Sequence, residues 1–262
     1  MSDSTHHALY YSDDLMANLQ LRFGEGMLSP GGAEELAQLI GPIDLKGQRG
    51  LDLGCGIGGY DSLLVKEHGV AHVTGVDINA AAVNIARQRA NDAGLSDKLT
   101  FKAVDAGPLP FTDAEFDFCF SKDSIVDMPE KSPVLAELLR VLRPGGHLLI
   151  SDWFRSEAPY TPEMKAWATT GEETYEMASL ASTAKELSAA GFIDIETADR
   201  CDWFIEFCRD ELKRLSGPLR SVYEEKFGKE SARRSIKNSR TRLVLAEQRQ
   251  LLTGHIRARK PA

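Results

Sequence analysis

Between residues 46 and 152, short apolar runs alternate with longer amphipathic stretches. Leu51–Leu53 closes the first run, and His72–Asp77, Lys98–Val104, Glu115–Ser121 and His147–Ser151 follow. In the fourth run Phe116, Phe118 and Phe120 recur at every second position. Runs of this length, rich in Val, Ile and Phe, predict buried strands. The stretches between them predict helices. One covers residues 59–68, and a second opens on the N-cap Asn79 and runs to about Ala93, before Gly94. A third opens at Ser132-Pro133 and ends at Arg143-Pro144-Gly145-Gly146. This rhythm predicts a Rossmann-like, doubly wound α/β fold, with a mostly parallel sheet and helices on both faces.

The flanks extend the pattern. Residues 8–41 carry two helical patches around the glycine-rich segment 23–32. Residues 155–190 predict inserted helices, 191–197 a sixth strand, 202–250 charged helices, and 251–257 a last strand returning to the sheet. The expectation is a single domain over 1–262: N-terminal lid helices (1–45), a ligand-binding core (46–152), a helical insert (153–190), and C-terminal strands and helices (191–262). Seven strands would carry a helical lid built from the N-terminus and from the insert after strand five.

Candidate chemistry concentrates where strand one ends, in Leu51-Asp52-Leu53-Gly54-Cys55-Gly56-Ile57-Gly58-Gly59. Glycine lacks a Cβ and tolerates positive φ, so a ligand can lie against bare backbone in such a turn, facing a helix N-terminus. A glycine turn alone is a weak signal. Here Asp77, Asp105, Asp123 and Asp152 stand at or just beyond the ends of the next four strands. In an open α/β sheet those ends share one crevice. Asp52 suits a ligand with an ammonium group and would repel a pyrophosphate. Asp77 can accept from ribose hydroxyls, and Asp105 from an adenine amino group, with the backbone N–H of Ala106 meeting a ring nitrogen. Together they favour S-adenosylmethionine over NAD. A NAD-dependent oxidoreductase accounts for Asp77 but leaves Asp52 and Asp105 without a role; a non-catalytic cofactor-binding protein is the other alternative.

The segments LDLGCGIGG, GVDIN, VDAGPLPFTDAEFDFCFS and RVLRPGGHLLISD resemble the class I S-adenosylmethionine-dependent methyltransferases. That resemblance implies cofactor contacts from Gly54, Gly56, Gly59, Asp52, Asp77, Ile78, Asp105 and Ala106, with S-adenosylhomocysteine as product and no metal. FGEGMLSPGG at 23–32, SKDSIVDM at 121–128, LLISDWF at 148–154 and EQRQLLTGHIRARK at 247–260 resemble the phosphoethanolamine N-methyltransferases. This second resemblance implies cofactor contacts from Ser29 and Lys122. Asp123 is a candidate acceptor contact, and the faces of Trp153 and Trp167 can attract an ammonium by cation–π contact, with packing of the lid helices as the alternative for Trp167. The resemblance also implies a catalytic Tyr11 with Asp127 standing where the family has His. The family's phosphate-binding Arg and Tyr after strand five are replaced by Gly171, Glu172 and Glu173. Acids there disfavour a phosphate, so the nitrogen of an amine or amino acid is the expected acceptor. S-methylation of a thioether and phosphoethanolamine N-methylation are the alternatives within the class.

Composition narrows the partners. A net charge of −8 argues against a nucleic-acid partner and suits a cationic or zwitterionic small molecule. Cys55, Cys119, Cys201 and Cys208 form no CxxC pair, so no metal knuckle or redox motif is expected. No apolar run approaches the ~18 residues of a membrane span. The opening MSDSTHHALYY lacks an apolar signal core, so a cytoplasmic protein is expected. Arg240 and Arg242 predict a solvated helix face.

Overall fold

Strand β1, Arg49–Leu53, is buried along its last four residues. It pairs in parallel with β2 (His72–Asp77) on one side and β4 (Phe116–Lys122) on the other. Strand β3 (Leu99–Ala103) joins β2, and β5 (Leu142–Arg155) joins β4, again in parallel. With β8 (Ile193–Asp199) and β9 (Leu251–Arg259), the order across the seven-stranded sheet is β3-β2-β1-β4-β5-β9-β8. This is the doubly wound, Rossmann-like architecture expected. The computed structural model describes residues 11–128, 130–170, 173–174 and 177–262.

Helices cover both sheet faces because the strand residues alternate. Phe118 and Phe120 of β4 join one core with α2 (Gly32–Ile40), α3 (Gly59–His68) and α4 (Ala80–Asp92). From these helices come Leu36, Leu39, Leu64, Val83 and Ala86. Cys119, between the two phenylalanines, points the other way, and its thiol reaches the Leu138 carbonyl of α5 (Lys131–Val141). Helix α1 (Asp13–Phe23) precedes this layer and is capped by Ser12, whose hydroxyl accepts from the Leu15 N–H.

The chain packs as two compact units. The first comprises the described part of Met1–Asp152 with Thr183–Thr197 and His255–Ala262; the second comprises Trp153–Ser182 and Ala198–Gly254. In the second, α8 (Cys201–Ser216) packs on α10 (Lys229–Glu247) beside α9 (Arg220–Phe227). Helix α6 (Pro162–Ala168) leads into a short antiparallel pair, β6 (Thr169–Thr170) with β7 (Glu173–Thr174). Helix α7 is Leu180–Ala190. Among the described residues no helix is long and apolar enough to cross a membrane.

Several expected boundaries are corrected. Helix α5 starts at Lys131 with Glu130 as its N-cap, so Ser132-Pro133 lies within the first turn. Strand β5 starts at Leu142 rather than His147, because Leu142 pairs with Phe116 across a register shift and Arg143-Pro144-Gly145-Gly146 is carried inside the strand. It also continues to Arg155, which puts Asp152 within the strand instead of at its end. The insert contains the β6–β7 pair besides helix. Arg240 is exposed as expected, but Arg242 is buried and ion-paired with Glu211, to which Ser239 also donates.

Gly50 shows how tightly the sheet is filled. Its partner across the strand is Phe118, and a Cβ at Gly50 would lie 2.1 Å from that ring. Gly50→Ala is therefore expected to lower unfolding stability by about 1–3 kcal/mol, read as a shifted urea midpoint with an unchanged slope.

Candidate functional site

The chain leaves the sheet after Leu53. The N–H groups of Gly54 and Cys55 both donate to the Val76 carbonyl, at 2.8 and 3.1 Å. Gly54, Gly56 and Gly58 take φ of 82°, 53° and 77°, which glycine adopts without the cost a Cβ would bring. Gly59 then opens α3 under the backbone of residue 26: a Cβ at Gly59 would meet the Gly26 carbonyl oxygen at 2.1 Å. The turn is bare backbone packed at its limit.

Asp77 joins this turn to the next helix. Its carboxylate accepts from the Gly56 N–H and the Asn79 N–H, both at 2.8 Å. Burial raises its pKa, and the backbone donors oppose that rise. Asn79 caps α4 as expected, accepting from Ala81 and Ala82, and its amide donates to the Tyr11 carbonyl. Next to Asp77, Ile78 is 38 % exposed. It lines an open cavity of about 470 Å³ with Ala103, Asp105, Ala106 and Pro108. An exposed isoleucine, a nearby carboxylate and backbone N–H groups make a surface fit for a flat, partly polar ring.

Asp52 is only 2 % exposed and sits against Asp61 of α3, which is fully buried. Burial raises both, and their proximity keeps Asp52 well above the carboxylate range, while Asp61 is pushed up to about 7. A negative charge on Asp61 disfavours ionisation of Asp52, and neither oxygen of Asp61 has a hydrogen-bond partner among the described residues. One oxygen of Asp52 has no hydrogen-bond partner among the described residues. The sequence reading missed Asp61; its only signal is an acid in the first turn of the helix that follows the glycines.

The end of β4 is a second cluster. Ser121 donates to the Leu53 carbonyl at 2.8 Å, and Ser124 donates to the Gly54 carbonyl, tying β1 and β4 together where both end. Lys122 and Asp123 form an ion pair at 2.6 Å, with both side chains 8 % exposed. Burial pulls the Lys122 pKa down, but Asp123 and Tyr60 more than offset it and the net shift is upward. Asp123 holds φ of 51°, rare for a non-glycine residue, while its N–H donates to Ser151. Asp127 ends the 3-10 turn Ile125–Asp127, which is pinned where the Val126 N–H meets the Asp152 carboxylate at 2.9 Å.

The structure thus gathers Asp52, Gly54, Gly56, Gly59, Asp77, Ile78, Asp105, Ala106, Lys122, Asp123 and Asp127 around the strand ends of the first unit. Tyr11 packs with Met16, Leu28, Ile57 and Ala82, over the glycine turn. Ser29 belongs to the loop before α2, in hydrogen-bonding contact with Tyr60. Trp153 and Trp167 belong to the second unit, where they stack on each other at 5.9 Å, with Phe204 edge-on to Trp153 and the Arg242 guanidinium 5.7 Å from its ring. Gly171, Glu172 and the side chain of Glu173 lie outside the described residues.

The comparisons converge. A family model described as "Methyltransferase domain" matches residues 44–207. The chain is 34 % identical over 194 residues to phosphoethanolamine N-methyltransferase 1 of Arabidopsis thaliana, covering 74 % of this chain and 38 % of the relative. It is 28 % identical over 209 residues to the phosphoethanolamine N-methyltransferase of Plasmodium falciparum, covering 78 % and 76 %. It is also similar to phosphoethanolamine N-methyltransferase 2 of Haemonchus contortus, solved with phosphomonomethylethanolamine and S-adenosylhomocysteine: TM-score 0.88, 25 % identity, 96 % of this chain and 59 % of that one. The chain spans about two fifths of the length of the plant relative.

The carboxyl pair generates a pH prediction. Asp61 has its folded pKa raised to about 7, so its contribution to stability is present at low pH and is lost as pH rises through that value. Thermal unfolding should therefore show a midpoint that falls from about pH 4 to about pH 7 and levels off above that. Asp61→Asn, which has no carboxyl proton to lose in this range, should flatten that slope; an unchanged slope would refute the raised pKa of Asp61.

Proposed function

Because the chain belongs to the methyltransferase-domain family, we propose that it transfers a methyl group from S-adenosylmethionine to the nitrogen of a small amine or amino acid. The observation that carries this reading is the row of acids around one glycine turn, with Asp52, Asp77 and Asp105 in three different settings. When bound, S-adenosylmethionine supplies an electrophilic methyl group on a sulfonium, and transfer leaves S-adenosylhomocysteine.

Gly54, Gly56 and Gly59 would hold the amino-acid end against bare backbone. Asp52, buried beside Asp61 where β1 ends, would draw the ammonium of the cofactor. Asp77 would hold ribose hydroxyls, and Asp105, Ala106 and Ile78 the adenine. Ser29 and Lys122 complete the set that would contact the cofactor. The glycine turn and the half-exposed Ile78 beside an open cavity both fit such a ligand.

An amine attacks only as the free base, so its proton must leave before the methyl arrives. Asp127 is the group we assign to accept it, with Tyr11 as a second hydrogen-bonding group. Asp123 would attract the protonated acceptor before the transfer. The relatives named for phosphoethanolamine support a second acceptor of the same kind, an ethanolamine nitrogen carrying a phosphate. The acids Glu172 and Glu173 weigh against it.

Two measurements test this. Incubation with labelled S-adenosylmethionine and a panel of amines, amino acids, thioethers and phosphoethanolamine should label an amine; no transfer to any of them would sink the proposal. Asp127→Ala should then cost about 10²-fold or more in kcat with an amine, and high pH should restore part of it. Loss that pH does not restore would favour a thioether, which needs no deprotonation.

A further inference from the structure

Tyr60 is the second residue of α3, directly after the glycine turn, and its buried hydroxyl serves neither the turn nor its own helix. The ring is 7 % exposed and tilts against Phe120 at 6.0 Å. The hydroxyl donates to the Pro30 carbonyl at 3.0 Å and accepts from the Gly32 N–H at 3.1 Å. The Ser29 side chain is in hydrogen-bonding contact with the same oxygen. Three residues of one loop therefore converge on a single atom that comes from about 30 positions further along the chain.

The loop has little else to fix it. Helix α2 begins on Gly31, which supplies no side-chain cap, and the backbone bond from the Glu35 N–H to the Gly31 carbonyl is long, at 3.4 Å. Gly31 and Gly32 hold φ of 120° and 57°, values open to glycine and therefore entropically costly to maintain. On its other flank the Tyr60 ring meets Lys122, whose Nζ is 5.9 Å from the ring centroid and pairs with Asp123. One side chain thus touches the loop bearing Ser29 and the strand end bearing Lys122 and Asp123, and it starts from the glycine turn itself.

We infer that Tyr60 is a positioning residue for cofactor binding: its hydroxyl fastens the Ser29–Gly32 loop to the helix that follows the glycine turn. This rests on the function proposed above. Tyr60 does not take part in proton transfer, because its hydroxyl proton is committed to the Pro30 carbonyl. Its effect belongs in affinity for the methyl donor and its product, with the chemical step left nearly alone.

Tyr60→Phe removes the hydroxyl and keeps the ring against Phe120 and Lys122. Calorimetry with S-adenosylhomocysteine should show Kd raised about tenfold, the loss expected when a buried N–H and a carbonyl lose their common partner. KM for S-adenosylmethionine should rise in parallel while kcat at saturation changes by less than about twofold, since uniform binding is what is lost. Amide exchange in the free protein should accelerate at Gly31 and Gly32 and stay unchanged in β1, a readout that general destabilisation would not produce. An unchanged Kd with unchanged loop exchange would overturn the inference alone. A fall in kcat with KM unchanged would overturn it too, by putting Tyr60 in the chemistry. Wild-type protein that binds no S-adenosylhomocysteine would refute the proposed function, and this inference with it.

Discussion

The site depends on one backbone constraint: β1 is flanked on both sides by parallel neighbours and must then leave the sheet within two residues. The N–H groups of Gly54 and Cys55 converge on the Val76 carbonyl, and the Ser121 and Ser124 hydroxyls occupy the Leu53 and Gly54 carbonyls. No backbone group at that exit is left for a regular continuation of the strand. The chain turns, and positive φ at three glycines lets it do so while the Gly26 carbonyl lies close above Gly59. Every candidate cofactor contact in the first unit is placed relative to that exit, because β2, β3 and β4 end in register with it.

Electrostatics follow from this geometry. Bringing strand ends together brings carboxylates together, and burial out of water disfavours their charged form, as at Asp52 and Asp77. The structure treats three of these acids differently. Asp77 is stabilised by two backbone N–H donors and Asp123 by the Lys122 ammonium, while Asp52 lies beside a second buried acid, Asp61. Among the described residues one oxygen of Asp52, both of Asp61 and one of Asp123 are buried without a hydrogen-bond partner. Of these acids, Asp123 is ion-paired and the Asp52–Asp61 pair has no ion pair to a cation among the described residues, so it has most to gain from one. The asymmetry among three acids that look alike in sequence comes wholly from what their elements pack against.

The sequence was legible where local rules decide. Asn79 caps α4 through the two bonds its type predicts, and Gly94 follows that helix at φ of 67°. The parallel core and the acids near its strand ends were also readable, because strand length and apolar runs set them. Tertiary pairing overrode local rules elsewhere. Arg143-Pro144-Gly145-Gly146 has every mark of a turn, yet it lies within β5 because Leu142 finds Phe116 across a shifted register. Arg242 sits in a run of charges, yet the face of α10 that carries it is the one packed on α8, so it is buried on Glu211. Asp61 and Tyr60 were missed for a related reason. A polar residue in the first turn of a helix is ordinary, and what makes these two unusual is a partner nine or about thirty residues away.

Asp127 is where local sequence and neighbouring structure meet most directly. A carboxylate has a low intrinsic basicity, so as a proton acceptor it works only if held where the proton must go. The 3-10 turn that carries it is short and would be floppy alone. It is fixed at its middle by Asp152, which reaches across from β5 to the Val126 N–H, and at its start by Ser124, bound to the exit of β1. Asp152 therefore holds the turn that carries Asp127, although from sequence it looks like one more acid in the row. The same carboxylate type is thus set in a glycine turn, in an ion pair and in a scaffold contact within one unit, and its partner in each case decides what it can do.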